Sequence, residues 1–232
     1  MAINEVELAD RLARIREKMH EENFNALIIY SDEYRSGNTT YFTDYKPINV
    51  IEESPQVIFV VEESDPVVMI GRLNSFAAKE TIWIDDVRPI HEIDKHLDFI
   101  FKPIKNKNPR IGIIGDNLLP VKTFNSLKNN LPNAEFVSCG ELLSEIGAIK
   151  SPAEIELMRK AADINDYVLS EIIHKCKVGM TEVEVAAEAE YLGRKMGADI
   201  GSATVIMSGP NTNYPAWRPS QRKIEEGDFV MI

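Results

Sequence analysis

The residues best suited to chemistry lie in one irregular stretch of the sequence, between residues 208 and 228. Trp217 and Arg218 are neighbours there, and they offer an indole N–H donor and a guanidinium that can hold an anionic group. Pro210, Pro215 and Pro219 exclude regular secondary structure around them. We therefore predict a loop that carries Trp217 and Arg218.

The other reactive side chains form no recognisable site. The acidic residues show no pair whose spacing singles it out, and the four histidines are scattered along the chain. We interpret both sets as solvated or internally satisfied side chains. Gly112 and Gly115 lie within and after a predicted strand and lack a third glycine, so they do not form a dinucleotide loop. We expect no tight metal site within these 232 residues.

Charge and composition argue against nucleic-acid-binding, membrane-spanning and disulfide-rich proteins. The net charge of −11, from 26 basic and 37 acidic residues, disfavours a nucleic-acid partner. Cys139 and Cys176 lie far apart and have no disulfide-framework or zinc-site spacing, which favours a reducing compartment. The sequence starts without a signal-peptide pattern, and no apolar run approaches the ~20 residues of a membrane span. We expect a cytoplasmic protein that binds neither membrane nor nucleic acid.

Short helices and strands alternate through residues 1–148. The first helix carries an apolar stripe and runs to Glu22, and the uniformly apolar run 26–30 is typical of a central strand covered on both faces. We predict further strands at 56–61, 67–70, 81–84, 110–114 and 134–137, and helices at 75–80, 93–100 and 121–127. Because two of these strands form a hairpin, we predict an α/β domain with a mixed sheet and helices on both faces.

The pattern changes near residue 150, and we place a domain boundary between residues 148 and 149. Ser151, Pro152 and Glu154 occupy the N-cap, first and third positions of a long helix that stops by Gly179. Its predicted apolar face is formed by Ile155, Met158, Ala162, Val168 and Ile172.

A second helix follows at once. Thr181 and Glu184 form another capping box, and the helix ends at Gly197. We predict strands at 203–207 and at 229–232, with the irregular stretch between them.

Four segments, in this order, resemble the creatinase/aminopeptidase P/prolidase family of M24 metallopeptidases. They are residues 149–162, 178–186, 208–211 and 222–232. Residues 1–148 are similar to the N-terminal α/β domain of that family, with residues 38–43 in place of its strand-edge motif. The resemblance implies that residues 149–232 are the first part of an α+β catalytic domain of the pita-bread fold.

The family resemblance also implies a metal centre. Members hold two divalent metal ions, manganese, cobalt or zinc, with two Asp, one His and two Glu. The first of these Asp residues directly follows the strand matched by Phe229–Ile232, so all five ligands are expected outside this chain. We therefore expect a longer, homodimeric parent enzyme, and inactivity of these residues alone.

Two positions bear on the implied active site. Ala216 stands where family members carry a cleft histidine, and a methyl group can neither polarise a carbonyl nor move a proton. The resemblance then implies Trp217 and Arg218, beside it, as the substrate-binding residues, through an indole donor and a guanidinium. The aromatic residues Tyr34, Tyr41 and Tyr45 have two interpretations. They reach a substrate across the dimer, as the equivalent loop does in creatinase, with Tyr41 as the contact, or they cover the sheet edge.

Two hypotheses of different classes follow. The first is the N-terminal portion of a dinuclear-metal hydrolase of the creatinase or Xaa-Pro peptidase type, acting on a small peptide, amide or guanidino substrate. The second is a non-catalytic module that binds a peptide or protein, which Ala216 favours.

Overall fold

The computed structural model describes residues 3–48, 53–199 and 204–232. Within these ranges, none of the helices is both long enough and apolar enough to cross a membrane. The chain divides into two compact units, residues 1–150 and residues 151–232. The boundary that we predict at 148/149, as a limit between independently folding domains, stays a prediction.

Unit 1 is built on a six-stranded mixed sheet, as predicted. The strands are β1 Ala26–Ser31, β2 Gln56–Val61, β3 Val67–Ile70, β4 Asp86–Pro89, β5 Arg110–Ile114 and β6 Glu135–Ser138. Their order in the sheet is β4-β3-β2-β1-β5-β6. β2 pairs antiparallel with β1 and β3, whereas β1–β5, β5–β6 and β3–β4 are parallel. The strand with the uniformly apolar sequence, β1, therefore lies in the middle of the sheet.

Helices cover both faces of this sheet. They are α1 Glu5–Glu21, α2 Gly37–Thr43, α3 Arg72–Thr81, α4 Ile93–Phe101, α5 Val121–Asn130 and α6 Gly140–Ala148. Leu27 and Ile29 of β1 pack into a core with α1, α2, α3 and α6, while Ile28 packs into a second core with α4 and α5. Because successive strand side chains point to opposite faces, β1 contributes to both cores.

Unit 1 differs from the sequence analysis in three places. Residues 39–43 belong to helix α2, because Thr39 N donates to Ser31 Oγ at 3.1 Å and the Phe42 ring is fully buried. The strand expected at 81–84 is absent from that segment: α3 continues to Thr81, and the ladder with β3 forms later, at Asp86–Pro89. Helix α6 was not predicted, since it begins at Gly140 without a side-chain cap.

Unit 2 consists of two helices and a small two-stranded sheet. Its elements are α7 Pro152–Lys175, α8 Glu182–Lys195, β7 Met207–Ser208, a 3-10 helix Gly209–Asn213 and β8 Val230–Met231, which pairs antiparallel with β7. Both predicted capping boxes are present, at Ser151 with Glu154 and at Thr181 with Glu184. Of the strand predicted at 203–207, Ala203 lies outside the described residues, and the observed strand starts at Met207.

The apolar face predicted for α7 is only partly buried. Ile172 is buried and Val168 packs beside it, against Val185 and Leu192 of α8. Ile155, Met158 and Ala162 are exposed, so that part of the prediction is wrong. The 14-residue α8 is shorter than the 24-residue α7 and covers only part of it.

Candidate functional site

Three of the residues singled out by the sequence, Ala216, Trp217 and Arg218, lie on one loop of unit 2, residues 208–220, which we call the anchored loop. It leaves β7 at Ser208, makes a short 3-10 helix and returns to the N-terminus of α8 at Ser220. Ala216, Trp217 and Arg218 are all exposed on it. The loop predicted between the prolines is therefore present, and it presents these three residues to solvent.

Both ends of the anchored loop bind one buried carboxylate, that of Glu182 at the start of α8. Ser208 donates its backbone N–H to Oε1 at 2.6 Å and its hydroxyl to the same atom at 2.7 Å. Ser220 donates its N–H and hydroxyl to Oε2 at 3.0 and 2.6 Å. Asn211 Nδ2 spans the two oxygens at 3.0 and 3.1 Å. Five donors thus satisfy a side chain with no exposed surface.

These contacts fix the protonation state of Glu182. Burial alone raises the pKa of a carboxyl, but the hydrogen bonds from Ser220, Ser208 and Asn211 outweigh it and hold the pKa of Glu182 at about 2. The group is therefore charged throughout the physiological range, with its charge compensated by oriented donors.

An ion pair supports the same end of the loop. Arg222 Nη1 donates to Asp228 Oδ2 at 2.6 Å and to the Ser208 hydroxyl at 2.8 Å. Their contact lowers the pKa of Asp228 and raises that of Arg222. Gly209 has φ of +49°, and a Cβ there would lie 2.7 Å from Arg222 Nη2. The ion pair can approach the backbone this closely because residue 209 is glycine.

The tip of the loop carries an aromatic pair. The Tyr214 and Trp217 rings stack with centroids 4.8 Å apart and an interplanar angle of 25°. Both residues are about half exposed, at 49% for Tyr214 and 46% for Trp217. A stacked pair with one free face can accept a flat apolar group, and the exposed Arg218 guanidinium beside it in sequence can pair with a carboxylate. Ala216 offers only a methyl group.

Tyr41 lies in unit 1, on α2, and its surroundings favour the sheet-covering interpretation. The Arg11 guanidinium stacks over its ring at 4.3 Å, and Phe42 meets it edge to face. Its hydroxyl lies 3.5 Å from the Ile146 carbonyl. Tyr45 is likewise engaged, through Asn74 Oδ1 at 3.1 Å, whereas Tyr34 is 80% exposed. A substrate contact by Tyr41 stays a prediction.

The described residues do not fit a metal centre. Over residues 3–48, 53–199 and 204–232, no three His, Cys, Asp or Glu side chains converge. The two most enclosed carboxylates of the site, Glu182 and Asp228, direct their oxygens at N–H and O–H donors and at a guanidinium. Cationic and N–H donors occupy the positions that a metal ion would need.

Glu182, which holds both ends of the anchored loop, was not identified from the sequence. It stands beside Glu184 in a capping-box pattern, and only Glu184 bonds back to the N-cap. The partners of Glu182 lie 26, 29 and 38 residues further along the chain. The sequence gives one indication: the first turn of α8 contains two glutamates, whereas its capping box uses only Glu184.

Comparison with known proteins covers both units. A family model described as the creatinase/prolidase N-terminal domain matches residues 11–149, and one described as metallopeptidase family M24 matches residues 156–232.

Individual relatives match across the same length. The Xaa-Pro dipeptidase of Pyrococcus furiosus is 26% identical over 226 residues, covering 97% of this chain and 60% of the relative. The ectoine hydrolase of Halomonas elongata is 28% identical over 251 residues, covering 97% and 61%. The solved prolidase of Pyrococcus horikoshii OT3 has a TM-score of 0.76 at 26% identity, covering 95% of this chain and 59% of that one. The chain thus spans about six-tenths of the length of the relatives that it matches.

Proposed function

Because this chain belongs to the creatinase/prolidase family of M24 metallopeptidases, we propose that it is the N-terminal portion of a hydrolase acting on a small peptide or amide. The observation that carries this proposal is the match of both family models, in order, along one chain. Relatives are named as Xaa-Pro dipeptidases and as an ectoine hydrolase, so the candidate substrates extend beyond peptides.

In this proposal the anchored loop forms part of the substrate-binding surface. The free face of the Tyr214–Trp217 pair takes a ring or apolar side chain, and Arg218 binds a carboxylate. Ala216 supplies no donor to a developing oxyanion. The geometry therefore supports a role in holding and orienting substrate, with no proton transfer from this loop position.

The proposed hydrolase is a homodimer that uses two divalent metal ions, manganese, cobalt or zinc. The proposal places the ligands of these ions outside the described residues, among which no three His, Cys, Asp or Glu side chains converge. Bound there, the ions would supply an activated water as nucleophile. Sedimentation velocity of the metal-loaded protein tests the dimer; a single monomeric species would exclude it.

The activity test uses a longer protein that includes the length matched by the relatives. We expect it, loaded in turn with each metal, to hydrolyse at least one class in a panel of Xaa-Pro dipeptides, small amides and guanidino compounds. Absence of turnover across the panel with all three metals would refute the hydrolase proposal.

Two substitutions test the loop residues in the same protein. Trp217→Ala should raise KM by roughly 2- to 10-fold, the range of one aromatic contact. Arg218→Ala should raise KM by roughly 10- to 100-fold for substrates with a carboxylate, and Arg218→Lys should recover only part, because Lys lacks the planar fork. An unchanged KM in both would exclude the loop from substrate binding.

The identity of Ala216 gives a further test. If the cleft has adapted to a substrate other than Xaa-Pro peptides, Ala216→His should leave peptide cleavage undetectable and reduce the native reaction. If the protein has lost only a helper group, the same change should raise Xaa-Pro cleavage by up to ~10²-fold or more. Efficient cleavage by the wild type would show that position 216 does not carry the histidine role.

Ala216 also favours a second candidate, a non-catalytic module that binds a peptide through the same loop. Saturable peptide binding without turnover, lost in Trp217→Ala, would support it. Metal-dependent turnover would reject it.

A further inference from the structure

The anchored loop is closed by one side chain rather than by a strand ladder across its base. Ser208 and Ser220 are twelve positions apart, yet both bind the carboxylate of Glu182, one to each oxygen. Main-chain bonds hold each end separately: Gly209 N donates to the Phe229 carbonyl at 2.9 Å, beside the β7–β8 pair, and Val183 N donates to the Ser220 carbonyl at 3.2 Å. The carboxylate is thus the common attachment point of both ends.

Glu182 has no part in starting helix α8. That role belongs to Thr181 and Glu184, whose side chains exchange hydrogen bonds with each other's backbone N–H groups at 2.7 and 3.2 Å. All five donors to Glu182 come from the anchored loop. A glutamate needed only for the helix or for solubility would not be fully buried with every bond directed at one loop.

The tip has little else to hold it. Among the described residues, the side chains of 213–218 form no ion pair or hydrogen bond with the rest of the chain, and their main contact is the Tyr214–Trp217 stack. The position of this pair therefore depends on the two ends of the loop. A loop whose ends are released must be reordered each time a ligand binds, which weakens affinity.

We propose that Glu182 is the positioning residue of the substrate-binding surface: by holding Ser208, Asn211 and Ser220 it presents the Tyr214–Trp217 pair and Arg218 in their binding arrangement. This inference rests on the proposed function, because it assigns the loop to substrate binding. Glu182 itself does not touch the substrate. Its loss therefore changes binding and leaves the bond-breaking step unaltered.

The first test measures the loop without any activity. In the 232-residue chain carrying Trp83→Phe, Trp217 is the only tryptophan and reports on the tip. Glu182→Gln keeps the shape of the side chain but places an amide N–H₂ against N–H and O–H donors. We expect higher acrylamide quenching and lower anisotropy of Trp217, and faster hydrogen exchange at the Ser208 and Ser220 amides.

Two further variants make this test decisive. Glu184→Gln is the matched control, since it changes a carboxylate on the same helical turn that binds only Thr181. Ser220→Ala removes one donor, at 2.6 Å from Oε2, and retains the folded state should Glu182→Gln fail to fold. The proposal would be overturned if the quenching and anisotropy of Trp217 and the hydrogen exchange of the loop amides were the same in Glu182→Gln and Ser220→Ala as in Glu184→Gln.

The second test separates binding from chemistry in the metal-loaded longer protein. With an Xaa-Pro dipeptide or the amide found to be turned over, Glu182→Gln should raise KM about tenfold and change kcat less than twofold. If Glu182→Gln raises the mobility of Trp217 but leaves KM unchanged, the positioning role is refuted. If the wild type shows no turnover while Glu182→Gln still frees Trp217, the proposed function fails and the anchoring of the loop stands.

Discussion

The buried carboxylate of Glu182 makes the stability of unit 2 depend on pH in a calculable way. Its pKa falls from the ordinary 4.5 to about 2 in the folded chain. Because a difference of one in pKa corresponds to 1.36 kcal/mol, the charged form stabilises the folded state by about 3 kcal/mol. Since the folded pKa lies below the unfolded one, this contribution is complete above about pH 5 and disappears as the pH falls through 2.

Glu182→Gln removes that contribution. We expect the free energy of unfolding of wild type to exceed that of the variant, by an amount that is about 3 kcal/mol larger at pH 7 than near pH 2. The other carboxylates titrate equally in both proteins, so the difference isolates Glu182. The Oγ and N–H of Ser220 face the new amide, and their unmet hydrogen bonds add a cost of about 1–3 kcal/mol that does not vary with pH.

The assay is urea unfolding followed by Trp217 fluorescence in the Trp83→Phe chain, at intervals from pH 2 to pH 7. Glu184→Gln is measured in parallel, because the Glu184 residue is exposed and its carboxylate accepts only from Thr181 at the start of the helix. A difference between wild type and Glu182→Gln that stays constant over the whole range would refute the reasoning, since it would mean that the carboxylate is not held in its charged form by the loop.

Three further predictions concern unit 1. Gly112→Ala should lower the free energy of unfolding by about 1–3 kcal/mol in urea, because the new Cβ would meet Leu27 Cδ2 at 2.5 Å and Cys139 Sγ at 2.7 Å. In the double variant with Cys139→Ala, the loss should be smaller than the sum of the two single losses. Simple additivity would contradict this packing. Residues 1–150 alone should unfold cooperatively on heating, since both of their cores are complete within that range, and a gradual, molten transition would argue against an autonomous unit. Burial and the nearby Glu141 charge raise the pKa of the Cys139 thiol to about 12. At pH 8, iodoacetamide should therefore modify Cys176 well before Cys139, as measured by mass spectrometry. Equal rates of modification would contradict the burial of Cys139.

The elements that the sequence predicted well are those with local signals. The capping boxes at Ser151 and Thr181 involve residues three positions apart, so they are visible in a short window, and both form as expected. The run 26–30 identified the central strand because burial on both faces demands apolar residues at every position.

The failures share a dependence on distant contacts. Helix α2 contains β-branched threonines that favour a strand, but Asn38 Nδ2 donates to the Tyr30 carbonyl at 2.9 Å and Thr39 binds Ser31, so tertiary bonds decide its conformation. Glu182 is the same case within the site. An acidic residue near a helix N-terminus is normally solvated, and nothing in its neighbourhood along the chain shows that Ser208 and Ser220 will surround it.

Because the anchored loop is closed through Ser208 and Ser220, the residues that hold the loop are different from the residues at its tip. Residues 213–218 can be exchanged without touching the carboxylate or its five donors, because none of them supplies a bond to Glu182. Under the proposed substrate-binding role, substitutions at residues 213–218 would change ligand preference while the contacts of Glu182 stay constant. For the same reason, residues 213–218 are suited to randomisation in a selection for new ligands, with Ser208, Asn211, Ser220 and Glu182 left unchanged.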